Sequence, residues 1–179
     1  IARKEGAGNA DRKDSQEICF LPEDQNYIRF LNEKGLEAAS GNFIDGEGNI
    51  LGIHQGITHY TIGQRKGLGK TFGKPVYVTK VDHNSNTVTL GNNEELFVSV
   101  VRSENHAFIL KSGQSLQSLE GTSIEAKIRY TAKKAAGTLR ITGNGVIETH
   151  FEEKQRAATP GQSIVFYKGN LVLGGGIIV

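Results

Sequence analysis

The stretch "SIEAKIRYT" (residues 123–131) sets the fold class. Ile124, Ala126, Ile128 and Tyr130 alternate with Glu125, Lys127, Arg129 and Thr131. Successive side chains of a strand point to opposite faces, so a period of two marks one face in and one face out. The neighbouring stretches repeat the signal. "TLRITGNGVIETHF" (138–151) turns at Gly143–Gly145, and "SIVFYKGNLVLGG" (163–175) turns at Gly169–Asn170, a pair that fits a two-residue hairpin. Strands recurring this closely, with turn signals between them, predict a small closed barrel in the C-terminal half.

Toward the N-terminus the chain still reads as β. "PVYVTKVDHNSNTVTLG" (75–91) is a hairpin turning at Asn84–Asn86, and "GNFIDGEGNILG" (41–52) is two short runs around a Gly-rich turn. "GNNEELF" (91–97) breaks the pattern and marks a boundary. The best helix is "LPEDQNYIRFLNEKG" (21–35). Pro22 suits the first helical position, Glu23 and Asp24 suit the positive end of the dipole, and Gly35 suits a left-handed stop. Tyr27, Ile28 and Leu31 form its apolar stripe. The expected fold is mainly β: a short N-terminal helical part, a small central β-rich domain and a C-terminal antiparallel barrel.

Composition narrows the function. The chain has 179 residues, 23 Gly and only 3 Pro, which suits tight hairpins more than long helices. One Cys excludes an intrachain disulfide and a Cys-based zinc cage. No apolar run reaches the roughly 18–20 residues of a membrane span, and the polar start "IARKEGAGNADRK" lacks the apolar core of a signal peptide. A cytoplasmic chain is expected. There is no Met, even at position 1, so the chain is expected to start after processing or partway through a larger protein. Net charge is only +2, but Lys127–Arg140 carries five basic groups and no acid, and Arg65, Lys66, Lys70 and Lys74 form a second basic run. Such clusters read either as solvated sheet faces or as a nucleic-acid surface.

Motif spacing excludes more. "IGQRKGLGKTFGKP" (62–75) is not a phosphate loop: the Gly required five positions before Gly69 is Gln64. It is not a dinucleotide fingerprint either, because Phe72 stands where the third Gly belongs. His54 and His59 match no metal-binding spacing, so no metal site is expected. Cys19 is the one sulfur. Between Ile18 and Phe20 it reads first as a buried apolar side chain; its place just before a helix start, with Arg12 and Lys13 nearby, is compatible with an activated thiolate but does not demand one.

Three separated segments, "KDSQEICF" (13–20), "YTIGQRKGLG" (60–69) and "TPGQSIVFYKGNLVLGGGII" (159–178), resemble the tRNA-specific 2-thiouridylases of the MnmA/TrmU family. The resemblance implies a remnant of an ATP-binding domain at 1–13, a central domain at 14–95 carrying the sulfur-bearing Cys segment, and at 96–179 a barrel like those of translation elongation factors. It implies that Cys19 carries a persulfide, delivered by a cysteine desulfurase or sulfur-relay protein. The sulfur goes to C2 of the wobble uridine in tRNAs for Glu, Gln and Lys, after ATP and Mg have activated that position. The ATP site and a second cysteine belong to an N-terminal domain that has no counterpart in this sequence. Arg129, Tyr130 and Gln162 match tRNA contacts of the family, and Gln64, Arg65 and Lys66 are expected along the route of the tRNA. Tyr130 also reads as a core-face residue and Gln162 as a turn residue. A non-catalytic RNA-binding barrel, akin to a translation-factor domain, is the alternative, and a purely structural barrel with no affinity for tRNA is a third reading.

Overall fold

The computed structural model describes residues 27–36, 39–109, 115–142 and 145–179. Cys19, the 1–13 segment, the expected helix start at Pro22 and most of the Gly143–Gly145 turn lie outside them. The chain divides into two compact units after residue 38.

In the first unit, helix α1 spans Tyr27–Glu33. The chain stops where a glycine permits it. Gly35 takes φ +70°, and the amide of Leu36 donates to the Leu31 carbonyl at 2.9 Å.

The second unit holds two sheets. The first has four strands: β1 (Gly41–Ile44), β2 (Ile50–His54), β3 (Tyr77–Asp82) and β4 (Thr87–Gly91). Their order is β2-β1-β4-β3, and only the β1–β4 pair is parallel. The Asp45 carboxylate shapes the β1–β2 turn by accepting from the amides of Glu47 and Asn49 at 3.0 and 2.9 Å. Asp82 does the same for the β3–β4 turn, accepting from Asn84 and Ser85.

The second sheet is a closed antiparallel barrel in the order β10-β5-β8-β7-β6-β9. Its strands are β5 (Phe97–Phe108), β6 (Ser123–Lys127), β7 (Ala135–Ile141), β8 (Ile147–Arg156), β9 (Ser163–Lys168) and β10 (Leu171–Ile178). Alternation sends Ile124, Ala126, Leu139, Ile147, Phe151, Ile164, Phe166 and Ile178 into one core. Phe166 stacks on Phe108 with ring centres 5.5 Å apart. The expected mainly β fold with a closed C-terminal barrel is therefore what the chain adopts.

Two features differ from the sequence reading. The 12-residue β5 was not anticipated, although it closes the barrel between β10 and β8. Its pattern is broken by a register shift between Val98 and Val100 and by Asn105 at φ +52°. The second difference is at "SIEAKIRYT". The strand ends at Lys127, and the chain turns, with the Ala132 amide donating to the Arg129 carbonyl at 3.2 Å. Ile128 stays in the core, but Tyr130 is 82% exposed and is not a core residue.

Candidate nucleic-acid interface

The turn after β6 decides where two of the expected contact residues point. Tyr130 stands out in solvent beside Lys127, whose ammonium donates to the Tyr130 carbonyl at 2.9 Å and sits 5.9 Å from the ring centre. An exposed aromatic ring next to a cation offers a face for stacking and a charge for phosphate.

Arg129 turns the other way. Its Nη2 donates to the Ala157 carbonyl at 2.6 Å, to Thr159 Oγ1 at 3.0 Å and to the Ile62 carbonyl at 3.4 Å. The last bond reaches across to the loop that precedes β3. Burial first, and then the charge of Arg156, hold its pKa below the ordinary arginine range. Ala157, which receives the shortest of these bonds, is 1% exposed, takes φ +55° and donates its amide to the Leu96 carbonyl at 2.7 Å. A left-handed alanine is uncommon, and here the surrounding bonds over-determine it.

Gln162 lies in the turn that starts at Thr159. Its amide donates to the Thr159 carbonyl at 3.2 Å, and its carbonyl accepts from Ile178 at 2.8 Å. The backbone is thus a turn element, as one reading expects, while the half-buried side chain has no partner among the described residues. Arg129 and Gln162 share Thr159, one through its hydroxyl and the other through its carbonyl. Segments far apart in sequence therefore meet at one end of the barrel.

The loop 62–66 approaches that end. Gly63 takes φ +88°, and a Cβ on it would lie 3.1 Å from the Ala157 Cβ and 3.5 Å from Arg156 Nη1. Glycine is what allows this close approach. Gln64 serves its own loop: its side-chain oxygen accepts from the Thr61 amide and its side-chain nitrogen donates to the Lys66 carbonyl, both at 3.0 Å. Arg65 and Lys66 are exposed and have no partner among the described residues. Two of the three motif segments quoted above, 60–69 and 159–178, are thus joined through Arg129.

His54, the last residue of β2, has a structural place instead. His54 is 1% exposed; its Nδ1 accepts from the Gly56 amide at 3.0 Å and its Nε2 faces the Asn86 carbonyl at 3.2 Å. Those partners require the neutral ring with its proton on Nε2. Burial lowers its pKa. It packs edge-on to Phe43 and Tyr60 as part of the core. Among the described residues no group of three or more His, Cys, Asp or Glu side chains is placed to hold a metal ion. Sequence reading missed Arg156 and gave Thr159, the first residue of the 159–178 motif, no role. No periodicity or spacing marks Arg156 in "KQRAATPG" (154–161); only the meeting of three distant segments does.

Relatives match across nearly the whole chain. A sequence from Clostridium perfringens described as tRNA-specific 2-thiouridylase MnmA is 47% identical over 99% of this chain. The chain belongs to the tRNA-specific 2-thiouridylase family. Other thiouridylases match in the same way: that of Clostridioides difficile is 45% identical over 99% of the chain and that of Lachnoclostridium phytofermentans 42% over all of it. Two family models match as well, one described as a tRNA methyl transferase PRC-barrel domain (residues 28–92) and one as an aminomethyltransferase beta-barrel domain (residues 102–178). Their descriptions name methyl and aminomethyl transfer, whereas the relatives are described as thiouridylases. The chain spans about half the length of these thiouridylases, 48% of the first and 49% of the last.

Proposed function

We propose that this chain is the RNA-holding and sulfur-carrying part of a tRNA 2-thiouridylase, acting in the cytoplasm, with a central domain at 14–95 and a barrel domain at 96–179. The observation that supports the reading best is the end of the barrel, where Arg129 meets Thr159 of the Gln162 turn and Ile62 of the basic loop of Arg65 and Lys66, and the next residue, Tyr130, is exposed. An anticodon loop is single-stranded, and its bases can be splayed out to meet an aromatic face and cationic side chains.

In this reading a cysteine desulfurase or relay protein loads Cys19 with a persulfide. The terminal sulfur attacks C2 of the activated wobble uridine in tRNAs of the Glu, Gln and Lys type, a C–S bond forms, and AMP leaves from C2. A second cysteine thiolate then attacks the Cys19 sulfur. The S–S bond to the transferred sulfur breaks and a Cys–Cys19 disulfide forms, which an external dithiol reduces. This chain has one cysteine, so the second is assigned to the half of the family protein that this chain does not span. The same half is assigned ATP and Mg, which supply the adenylation of the uridine. The described residues do not fit that role, because "IGQRKGLGK" lacks phosphate-loop spacing and no carboxylate group is gathered for a metal. Among the described residues, no helix is long and apolar enough to cross a membrane.

The test is Cys19→Ser in the complete protein, with 2-thiouridine measured in cellular tRNA. Loss of the modified base with retained tRNA binding is expected. Unchanged 2-thiouridine would leave the alternative, a barrel that binds RNA without carrying sulfur.

A further inference from the structure

A second guanidinium stands beside Arg129. Arg156, the last residue of β8, stacks on the Tyr77 ring with 5.5 Å between the guanidinium carbon and the ring centre. Its Nε donates to Asn93 Oδ1 at 3.2 Å. Those contacts fix the side chain and leave both terminal nitrogens without a partner among the described residues. Arg129 has the same surplus. Three acceptors crowd its Nη2, its Nε is buried without a partner, and its Nη1 has none among the described residues.

Two half-buried like charges side by side cost free energy unless an anion answers them. No carboxylate does so: the ion pairs of the described residues join Arg29 to Glu33, Lys80 to Asp82, Arg102 and His150 to Glu148, and Arg140 to Glu120. Both arginines line an open cavity of about 560 Å³, which Lys133 also reaches. Glu125, Glu152 and Glu153 reach the cavity too, against Lys133, Lys134 and the two arginines, but among the described residues none of the three pairs with a guanidinium. As a strut Arg129 needs only a donor for three neutral oxygens, and a strut gains nothing from a second cation at its side. The loop at Gly63 runs close to both guanidiniums, a Cβ there lying 3.5 Å from Arg156 Nη1 and 4.0 Å from Arg129 Nη2, so the two arginines sit together under one loop.

We infer that Arg156, with the free edge of Arg129, seats a backbone phosphate of the bound RNA. Guanidinium forks match the paired oxygens of a phosphodiester, and the seat lies at the barrel end that carries Tyr130. Arg129 thereby both joins the 62–66 loop to the barrel and offers its outer nitrogen to the RNA. This inference rests on the reading of the chain as a tRNA-binding part.

The experiment measures binding of unmodified tRNA by this chain across a series of chloride concentrations. Removing one phosphate partner lowers the slope of log K against log salt by about 0.7–0.9. Arg156→Gln is expected to lower the slope by that amount and to weaken binding about tenfold at low salt, as for removal of one charge-assisted hydrogen bond. Arg156→Lys keeps the charge and restores the slope, which also guards against mere misfolding of the Gln variant. Tyr130→Ala weakens binding with the slope unchanged. A wild-type slope in Arg156→Gln, with Tyr130→Ala still weakened, overturns the phosphate seat and leaves the RNA-binding reading standing. Absence of salt-dependent binding by the unaltered chain overturns both. Inorganic phosphate that protects only the Arg156 protein against thermal unfolding, with the RNA slope unmoved, marks a site for free phosphate and likewise overturns the proposal.

Discussion

In the barrel every strand has two hydrogen-bonded neighbours, whereas in the four-stranded sheet β2 and β3 have one each. The sheet treats its two edges differently. Along β3 the loop 62–66 covers the edge: Gly63 donates to the Val78 carbonyl at 2.8 Å, and Val78 donates to the Gln64 carbonyl at 2.9 Å. Along the outer edge of β2 no strand or loop backbone pairs among the described residues, the Lys70 ammonium alone reaching the Leu51 carbonyl at 2.7 Å, and Ile50 and Ile53 are 67% and 74% exposed. Unpaired edges invite pairing with another chain, and a loop laid along one removes that hazard. The contrast explains the place of "IGQRKG" in the fold. Its backbone caps a sheet, its Gly63 presses on the barrel, and its Arg65 and Lys66 face outward. The cores differ as well. The barrel core is mostly aliphatic, while the sheet core centres on Phe43, with Tyr60, His54 and Phe72 edge-on at 5.1, 5.5 and 5.8 Å.

The largest effect on this contrast is expected from emptying each core in turn. Phe166→Ala and Phe43→Ala both remove a fully buried ring, and each should cost about 3–5 kcal/mol. Amide exchange read in β9 and in β1 tells whether the regions open separately. Protection that falls only on the mutated side makes them independent. Equal loss on both sides makes the sheet and barrel one cooperative unit.

A smaller effect concerns close packing of the barrel wall. A Cβ on Gly175 would lie 2.6 Å from the Ile164 carbonyl oxygen in the neighbouring strand, so Gly175→Ala should cost about 1–3 kcal/mol. Gly46, in the sheet's β1–β2 turn, has open space around its Cβ position, so Gly46→Ala should stay within about 0.5 kcal/mol. Denaturant midpoints of the two variants check the difference.

The smallest effect is a pH dependence confined to the sheet. The ammonium of Lys80, and then the Ser85 amide, hold the Asp82 carboxyl down to about 2 from its ordinary 3.8. A carboxyl with a depressed folded-state pKa stabilises the fold above the ordinary value. That contribution fades as the pH falls from about 4 to about 2. Asp82→Asn should flatten this part of the acid profile without altering the barrel's share, where Glu148 is lowered by His150 and Arg102. Urea midpoints between pH 2 and 5 follow it.

Much of the architecture was legible because hairpins are local. The turns at Asn84–Asn86 and Gly169–Asn170 lie where the sequence places them, and the expected alternation fills the barrel core. The parallel pairing of β1 with β4 was not legible, since its partners are some 45 positions apart and no turn connects them. Nor was β5, whose register shift and left-handed Asn105 erase the period of two. At the interface, the residue types of Arg129, Tyr130 and Gln162 were in view, but their directions were not. Alternation would have put Tyr130 in the core and Arg129 in water, and the end of β6 at Lys127 reversed both.

By itself, then, the sequence determined a β-rich chain, a closed barrel, a lone cysteine and a family, because these rest on periods, counts and contiguous motifs. Only the tertiary structure decided that Ile62, Arg129, Arg156 and Thr159 share one corner. That grouping depends on the closure of six strands and the approach of a distant loop, and no local property of the chain encodes such a meeting.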